Sequence, residues 1–160
     1  MTVNFILNGQ DEVINTNAQR RLVDILREIY QLFGAKTDCY SGICGKCSVI
    51  FNGDVVRSCL IPAFRMQRSE IITIEGFSQT DEYQDIVQGF AGGGTEICGH
   101  CKTAKILTAE ALLSKNPRPG PKDILAAFSG IKCRCTEPES LVQDVLAAAE
   151  NRQRRIYVRR

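Results

Sequence analysis

Val3, Phe5 and Leu7 share one side of an alternating run, and Asn8-Gly9 follows with the residue pair that a two-residue type I′ hairpin demands. The alternation predicts a strand over 3–7 and a return strand through Val13. Thr16 or Asn17 stands ready to cap a helix whose apolar positions Leu22, Ile25, Leu26, Ile29 and Phe33 recur at steps of three and four, with Gly34 placed to end it. A second Asn-Gly, Asn52-Gly53, separates the segments 48–51 and 54–57 and predicts a second hairpin. Pro62 interrupts the chain, a short irregular or helical piece covers 63–67, and the isoleucine-rich segment 70–75 reads as a last strand before Gly76. Two strands, a helix and three strands within this length suggest a β-grasp sheet.

Beyond 77–82 the hydrophobic period changes from two to 3.6, and Gly76, Ser78, Thr80 and Asp81 mark the change as a domain boundary. Tyr83, Ile86, Val87 and Phe90 line a first helix, which Gly92-Gly93-Gly94 breaks. That glycine run reads as a connector, since it lacks the Gly-Lys-Ser/Thr ending of a phosphate-binding loop. A second helix follows Cys101 with Ala104, Leu107, Ala111 and Leu112 turned inward. Pro121 opens a third, with Ile124, Ala127 and Phe128 packed and Gly130 as its cap. Thr136 and Glu139 are spaced as a capping box for a fourth, whose apolar face is Leu141, Val142, Val145, Leu146 and Ala149. The expected fold class is therefore α+β: a β-grasp domain over 1–76, then an all-α domain of four helices over 77–160.

Composition narrows what such a pair of domains can do. The chain has 160 residues and a formal net charge of +2 with both signs interspersed, which gives no field of the kind nucleic acid requires. No run approaches 18 apolar residues, so no membrane span is expected. The start, M-T-V-N-F-I-L-N-G, has no basic and apolar secretion signal, and a cytoplasmic location follows. The chain has 8 cysteines, grouped as Cys39, Cys44, Cys47, Cys59 and then Cys98, Cys101, Cys133, Cys135. Four and four mean two metal sites, one in each half.

Cys39, Cys44 and Cys47 stand in C-x4-C-x2-C spacing, and Cys59 returns to them after the second hairpin. This is the plant-type ferredoxin spacing for a [2Fe-2S] cluster. Gly42 and Gly45 fall where a loop wrapping such a cluster takes positive φ or brings N–H groups close to sulfur. Disulfides fit poorly in a reducing compartment, and a structural zinc site is the remaining alternative, although such sites ordinarily use two C-x2-C knuckles. The second quartet is less specific on spacing alone. Cys98-Gly99-His100-Cys101 has the C-x2-C of zinc sites and thiol redox pairs, while Cys133-Arg134-Cys135 is unusual for either. Both segments precede helices, whose free N–H groups and positive dipole ends favour thiolates and an anionic cluster.

C-x-x-G-x-C-G-x-C from Cys39 to Cys47, the C-G-x-C from Cys98, L-L-x-x-N-P-x-P from Leu112 to Pro119, and Cys133-Arg134-Cys135-Thr136 together resemble the small iron–sulfur subunit of the molybdenum hydroxylases, the xanthine dehydrogenase and aldehyde oxidoreductase family. The resemblance spans nearly the whole chain. It implies a ferredoxin-like β-grasp domain whose cluster, on Cys39, Cys44, Cys47 and Cys59, lies toward an FAD-binding subunit. It also implies a helical domain whose [2Fe-2S] cluster, on Cys98, Cys101, Cys133 and Cys135, lies next to the molybdopterin of a large subunit. FAD and molybdopterin then belong to the partners of a hetero-oligomer, and this chain passes electrons between them through its two clusters.

Departures gather around the second quartet. Ile97 stands where the family carries a pterin-contacting Gln, and Lys102-Thr103-Ala104 replaces Thr-Pro-Gly. Gly130-Ile131-Lys132 replaces Gly-Asn-Leu, and Glu137-Pro138 replaces Gly-Tyr. Ile97 lacks the amide that Gln offers, which keeps open a relay for a flavin dehydrogenase without molybdopterin; a zinc-stabilised interaction module is the third reading. His100 is the single histidine, which counts against a Rieske centre, since that needs two, and packing or a surface hydrogen bond is the expected role. Lys46 and Arg134 lie inside the ligand loops, where solvated side chains are expected. Arg152, Arg154, Arg155, Arg159 and Arg160 crowd the end of the chain around Ile156, Tyr157 and Val158, as a frayed tail or as a surface for an acidic partner. No nucleophile–base set, metal-activated water site or dinucleotide fingerprint appears, so no catalytic residue is expected on this chain.

Overall fold

The computed structural model describes residues 1–93 and 98–159. Strands β1 (Thr2–Leu7) and β2 (Gln10–Asn15) form the first hairpin, and β3 (Ser48–Phe51) and β4 (Asp54–Arg57) the second. Both Asn-Gly pairs take positive φ at both residues, 51° and 82° at Asn8-Gly9 and 50° and 84° at Asn52-Gly53, which is the type I′ geometry that matches strand twist. Strand β5 (Glu70–Ile72) inserts between the hairpins, parallel to β1 and antiparallel to β3, giving one mixed sheet in the order β2-β1-β5-β3-β4.

Helix α1 (Leu22–Glu28) covers one face of the sheet. Leu22, Val23, Ile25 and Leu26 are fully buried against Val3, Phe5, Leu7, Val49 and Ile71, with Cys47 and Cys59 at the edge of the same core. Strand alternation sends Val49 into this core and its neighbour Ile50 out of the opposite face. That face is covered by helix: α4 packs on β3 and β4, and Ile50, Ile72 and Ile74 join a second core with Phe77, Ile86, Phe90, Leu107, Ile124, Phe128 and Val145. Five helices supply this core: α2 (Ile74–Phe77), α3 (Asp81–Gly92), α4 (Lys102–Lys115), α5 (Pro121–Phe128) and α6 (Pro138–Val158). The fold is mixed α+β.

Four local expectations change. Helix α1 stops at Glu28 rather than running to Gly34, because the chain turns at Gln31, whose φ is 55°, and leaves Phe33 exposed. Gly34 serves a close approach instead: a Cβ there would stand 2.1 Å from the Ile74 side chain, and its N–H donates to Glu75 Oε1 at 2.7 Å. Neither Thr16 nor Asn17 caps α1, whose N-cap is Arg21; the Asn17 side chain accepts from the Gln19 N–H. The strand expected over 70–75 ends at Ile72, since Asn8 Oδ1 accepts the Thr73 N–H at 2.8 Å and Thr73 then opens α2 across the expected boundary. The Thr136 and Glu139 capping box does not form. Helix α6 begins after Glu137, and the Thr136 hydroxyl accepts from Lys105.

The arginine-rich end is ordered helix through Val158 rather than a frayed tail. Arg155 Nη2 reaches Glu82 Oε1 at 2.7 Å and Asp85 Oδ2 at 2.8 Å, and Arg159 reaches Asp81, so α6 is tied to the acidic side of α3. Arg152 pairs with Glu110 of α4. The expectations for Gly94, Ile97 and Arg160 lie outside the described residues.

Candidate metal centres

All eight cysteines are free thiols, and the fold gathers them in two places. The first is the loop between α1 and β3. Tyr40, Gly42 and Gly45 take φ of 51°, 74° and 76°, so the backbone curls and turns N–H groups inward. The Cys44 N–H points at Cys39 Sγ at 3.4 Å. Backbone donors from Cys44 and Ser41, then the Ser41 hydroxyl and the Cys44 thiol, bring the Cys39 thiol down to about 5, where it is a thiolate at neutral pH. A 3₁₀ turn at Ser58–Leu60 presents Cys59. Ser58 donates to the Cys47 carbonyl from its hydroxyl at 2.7 Å and its N–H at 3.2 Å, which clamps the returning hairpin beside the loop. Burial pushes Cys59 up to about 11, and the hydrogen bond with the Cys47 thiol adds to it. Cys47 and Cys59 thus face each other at the edge of the core, where two sulfurs are at hand for a metal.

The second gathering lies between the start of α4 and the segment before α6. Cys101 is the N-cap residue of α4, and its sulfur lies with those of Cys98 and Cys133 inside a common 4.8 Å. Cys135 is exposed and outside that group of three, and the neighbouring Cys98 thiol raises it. Burial raises Cys101 to about 12, helped by the Cys133 and Cys98 thiols. Burial also pushes Cys133 up, but the Cys135 N–H and the Lys105 ammonium outweigh it and bring the thiol to about 7. The Cys135 N–H lies 3.4 Å from Cys133 Sγ, the second instance of an amide aimed at sulfur.

The two gatherings touch. The Lys132 N–H donates to the Cys44 carbonyl at 3.1 Å, and Arg57 Nη2 donates to the Gly130 carbonyl at 2.9 Å. Lys132 precedes Cys133 directly, so the peptide next to one thiol is hydrogen-bonded to the peptide of another. Cys98, Cys101 and Cys133 come together with Cys135 near them, and Cys59 returns beside Cys47 and the loop of Cys39 and Cys44; the donors in both places are sulfur, with backbone amides at hand to steady thiolate charge. That chemistry fits iron–sulfur cores.

Comparison with known proteins decides the family. Residues 10–91 match the 2Fe-2S iron-sulfur cluster binding domain, and residues 73–146 match the [2Fe-2S] binding domain. The small FeS subunit of nicotinate dehydrogenase from Eubacterium barkeri is 44% identical over 136 residues, covering 85% of this chain and 87% of that one. The alpha subunit of isoquinoline 1-oxidoreductase from Brevundimonas diminuta is 35% identical over 83% of this chain and 88% of its own. The chain belongs to the small [2Fe-2S] subunits of the molybdenum hydroxylases. Solved structures agree with this family. A chain of quinoline 2-oxidoreductase from Pseudomonas putida superposes with a TM-score of 0.85 at 32% identity, covering 96% of both chains. The aldehyde oxidoreductase of Desulfovibrio gigas gives the same TM-score at 32% identity, but there this chain spans only 17% of a longer polypeptide. In this family of oxidoreductases the small [2Fe-2S] subunit transfers electrons, and the zinc-module alternative gives way.

His100 and Arg134 are exposed, and Lys46 pairs with Asp38 within reach of the Cys101 and Cys44 thiols. Sequence reasoning passed over Lys105, buried beside Cys133. Its signal was a lysine inside 104–109, where every other residue is small or uncharged and the helix is buried all round. No helix among the described residues is long and apolar enough to cross a membrane.

Proposed function

We propose that Cys39, Cys44, Cys47 and Cys59 hold one [2Fe-2S] cluster and that Cys98, Cys101, Cys133 and Cys135 hold the second. Each cluster, when bound, supplies a site that takes up and gives back one electron. In this reading the chain is a two-site relay, receiving electrons from a large molybdopterin-bearing subunit on the helical side and passing them to an FAD-bearing subunit on the sheet side. Residues 1–76 form the β-grasp ferredoxin-like domain and 77–160 the helical one, in a cytoplasmic hetero-oligomer. Relatives named for nicotinate and isoquinoline favour an N-heteroaromatic compound as the substrate of the whole complex, with its pocket on the partner.

The observation that supports this reading best is the hydrogen bond from the Lys132 N–H to the Cys44 carbonyl, which joins the segment leading to Cys133 to the loop that carries Cys39, Cys44 and Cys47. The residues around it have separate tasks. Ser41 and the amides of Cys44 and Cys135 hold negative charge on sulfur; Ser58 fixes Cys59 against Cys47; Arg57 holds the Gly130 turn against the first loop. The burial of Cys44, Cys47, Cys59 and Cys101 keeps water from half of the thiols.

The test is anaerobic purification with the partner subunits. About four iron and four acid-labile sulfide per chain are expected, with two reduced-state EPR signals. C47A should remove one signal and C135A the other. A single signal in the native complex, or one variant abolishing both while the chain stays folded, would overturn the assignment of quartets. Pterin and flavin content of the purified complex tests the partners separately.

A further inference from the structure

We propose that Lys105 is the counter-ion of the Cys98, Cys101, Cys133 and Cys135 site and raises the reduction potential of the cluster held there. The inference rests on the assignment of that quartet made above. Lys105 lies in the first turns of α4 and is 2% exposed, among the most buried large side chains of the molecule. Its ammonium donates to Thr136 Oγ1 at 2.6 Å. Lys105, Cys133 and Thr136 line one cavity of about 180 Å³, whose other walls include Leu125, Phe128, Ile131 and Leu141. The charge therefore sits in apolar surroundings beside a cysteine of the site.

A buried ammonium is tolerated when it is paired, and a hydroxyl does not neutralise it. Among the described residues no carboxylate pairs with Lys105. Arg152, the other buried cation of the helical core, has Glu110 and Asp85. The anion left to Lys105 is the thiolate cluster. Lys46 also feels Cys101, but its charge is paired with Asp38; Lys102, Lys132 and Arg134, next to the cysteines in the chain, are exposed and their charge is screened by water. Lys105 acts through a low-dielectric path and its effect on the site is the largest among these cations.

Reduction adds one electron to the cluster, delivered by the partner's donor or by dithionite in vitro, while Lys105 keeps its proton and no bond is made or broken. A fixed positive charge attracts the reduced state more strongly than the oxidised one. Removing it shifts the equilibrium toward the oxidised form. Thr136 holds the ammonium in register, which accounts for its absence from the helix cap that its sequence position suggests.

The experiment is an anaerobic redox titration of the purified complex, followed by the EPR signal of each reduced cluster, with iron and sulfide measured on every sample. In K105M the reduction equilibrium of the second cluster should fall at least tenfold, a shift of about 59 mV for a one-electron couple, while the first cluster titrates as in the native protein. K105R should keep the native value. If K105M does not retain its second cluster, K105Q provides the neutral comparison. Loss of that cluster in both neutral variants, with retention in K105R, also supports the counter-ion role. An unchanged midpoint in a loaded neutral variant, or K105R behaving as K105M does, overturns the proposal. A native complex without the second signal would instead sink the assignment of the quartet itself.

Discussion

At the scale of single residues, two glycines with the same backbone conformation have different duties. Gly45 and Gly53 have φ of 76° and 84°, so a Cβ at either costs about 1–2 kcal/mol of left-handed strain. Around Gly53 no atom lies within 4 Å of that Cβ. At Gly45 it would stand 2.6 Å from the Gly130 carbonyl oxygen, which is backbone and cannot swing aside. That carbonyl also accepts from Arg57, so the clash would push apart the two cysteine-bearing loops. G53A is expected to lower stability by the backbone strain alone and keep full iron content. G45A should lose iron and unfold at lower temperature, read by metal analysis and by thermal melting of the purified complex. Equal iron content in the two variants would mean that the contact at Gly130 does not matter to loading.

At the scale of elements, the arginines of α6 divide into buried and exposed. Arg152, with its side chain 9% exposed, meets Glu110 and lies 4.0 Å from Asp85, so truncating it leaves carboxylate charge in the core. R152A should cost about 3–5 kcal/mol in urea unfolding. R154A removes an exposed pair with Glu150 and should cost less than about 1 kcal/mol. The seam is also sensitive to acid. The Arg159 hydrogen bond, and then the charges of Arg159 and Arg155, hold Asp81 below its usual value. Partial burial pushes Glu82 up, yet the Arg155 hydrogen bond and charge outweigh it and hold Glu82 low as well. Groups with depressed folded values stabilise fully above their unfolded values, near pH 4, and lose that contribution as pH falls through the folded ones. The melting-temperature gap between the native chain and R155M should therefore be widest near neutrality and close in acid. A gap that persists at pH 3 would show that Arg155 acts through packing.

Those same arginines mark where the sequence was hardest to read. The apolar face of α6 was legible from Leu141, Val142, Val145, Leu146 and Ala149, but an arginine's partner is set by tertiary position, and nothing near 155 in the chain announces Asp85. Strand alternation and the Asn-Gly pairs gave both hairpins, because a type I′ turn is a local requirement. Helix α1 was read too long, since Ile29 and Phe33 keep the helical step although the chain has already turned at Gln31. Thr136 illustrates the same limit: its spacing to Glu139 is that of a cap, and a lysine 31 residues earlier takes the hydroxyl.

At the scale of the whole molecule, the eight cysteines were legible because ligand spacing survives any change in their surroundings, whereas the contact between the two quartets was not. Reading the chain as two halves divided near residue 76 assigned β3 to the first half alone. Val49 and Ile50 face opposite cores, so the sheet is the shared wall of both, and Ile72 and Ile74 extend it. The cysteine loops meet at the end of that wall, through the Lys132 N–H on the Cys44 carbonyl and Arg57 on the Gly130 carbonyl. Because one hydrogen bond uses the carbonyl of a cysteine from the first quartet and the other steadies the turn leading to Cys133, order at either site steadies the other. A guanidinium-to-carbonyl bond of this kind contributes about 1.5–3 kcal/mol, a sizeable share of the few kcal/mol that a half of this size draws from its own core. R57L, which keeps the aliphatic bulk and removes the donor, should therefore accelerate the thermal bleaching of both clusters. C133A, which empties the second site, should accelerate bleaching of the first although it touches none of its cysteines. Following the two reduced-state EPR signals during a heating series separates the sites. If the first signal in C133A decays at the native rate, the halves are thermodynamically independent; matched acceleration in C133A and R57L would show that the backbone contact joins the two sites in stability.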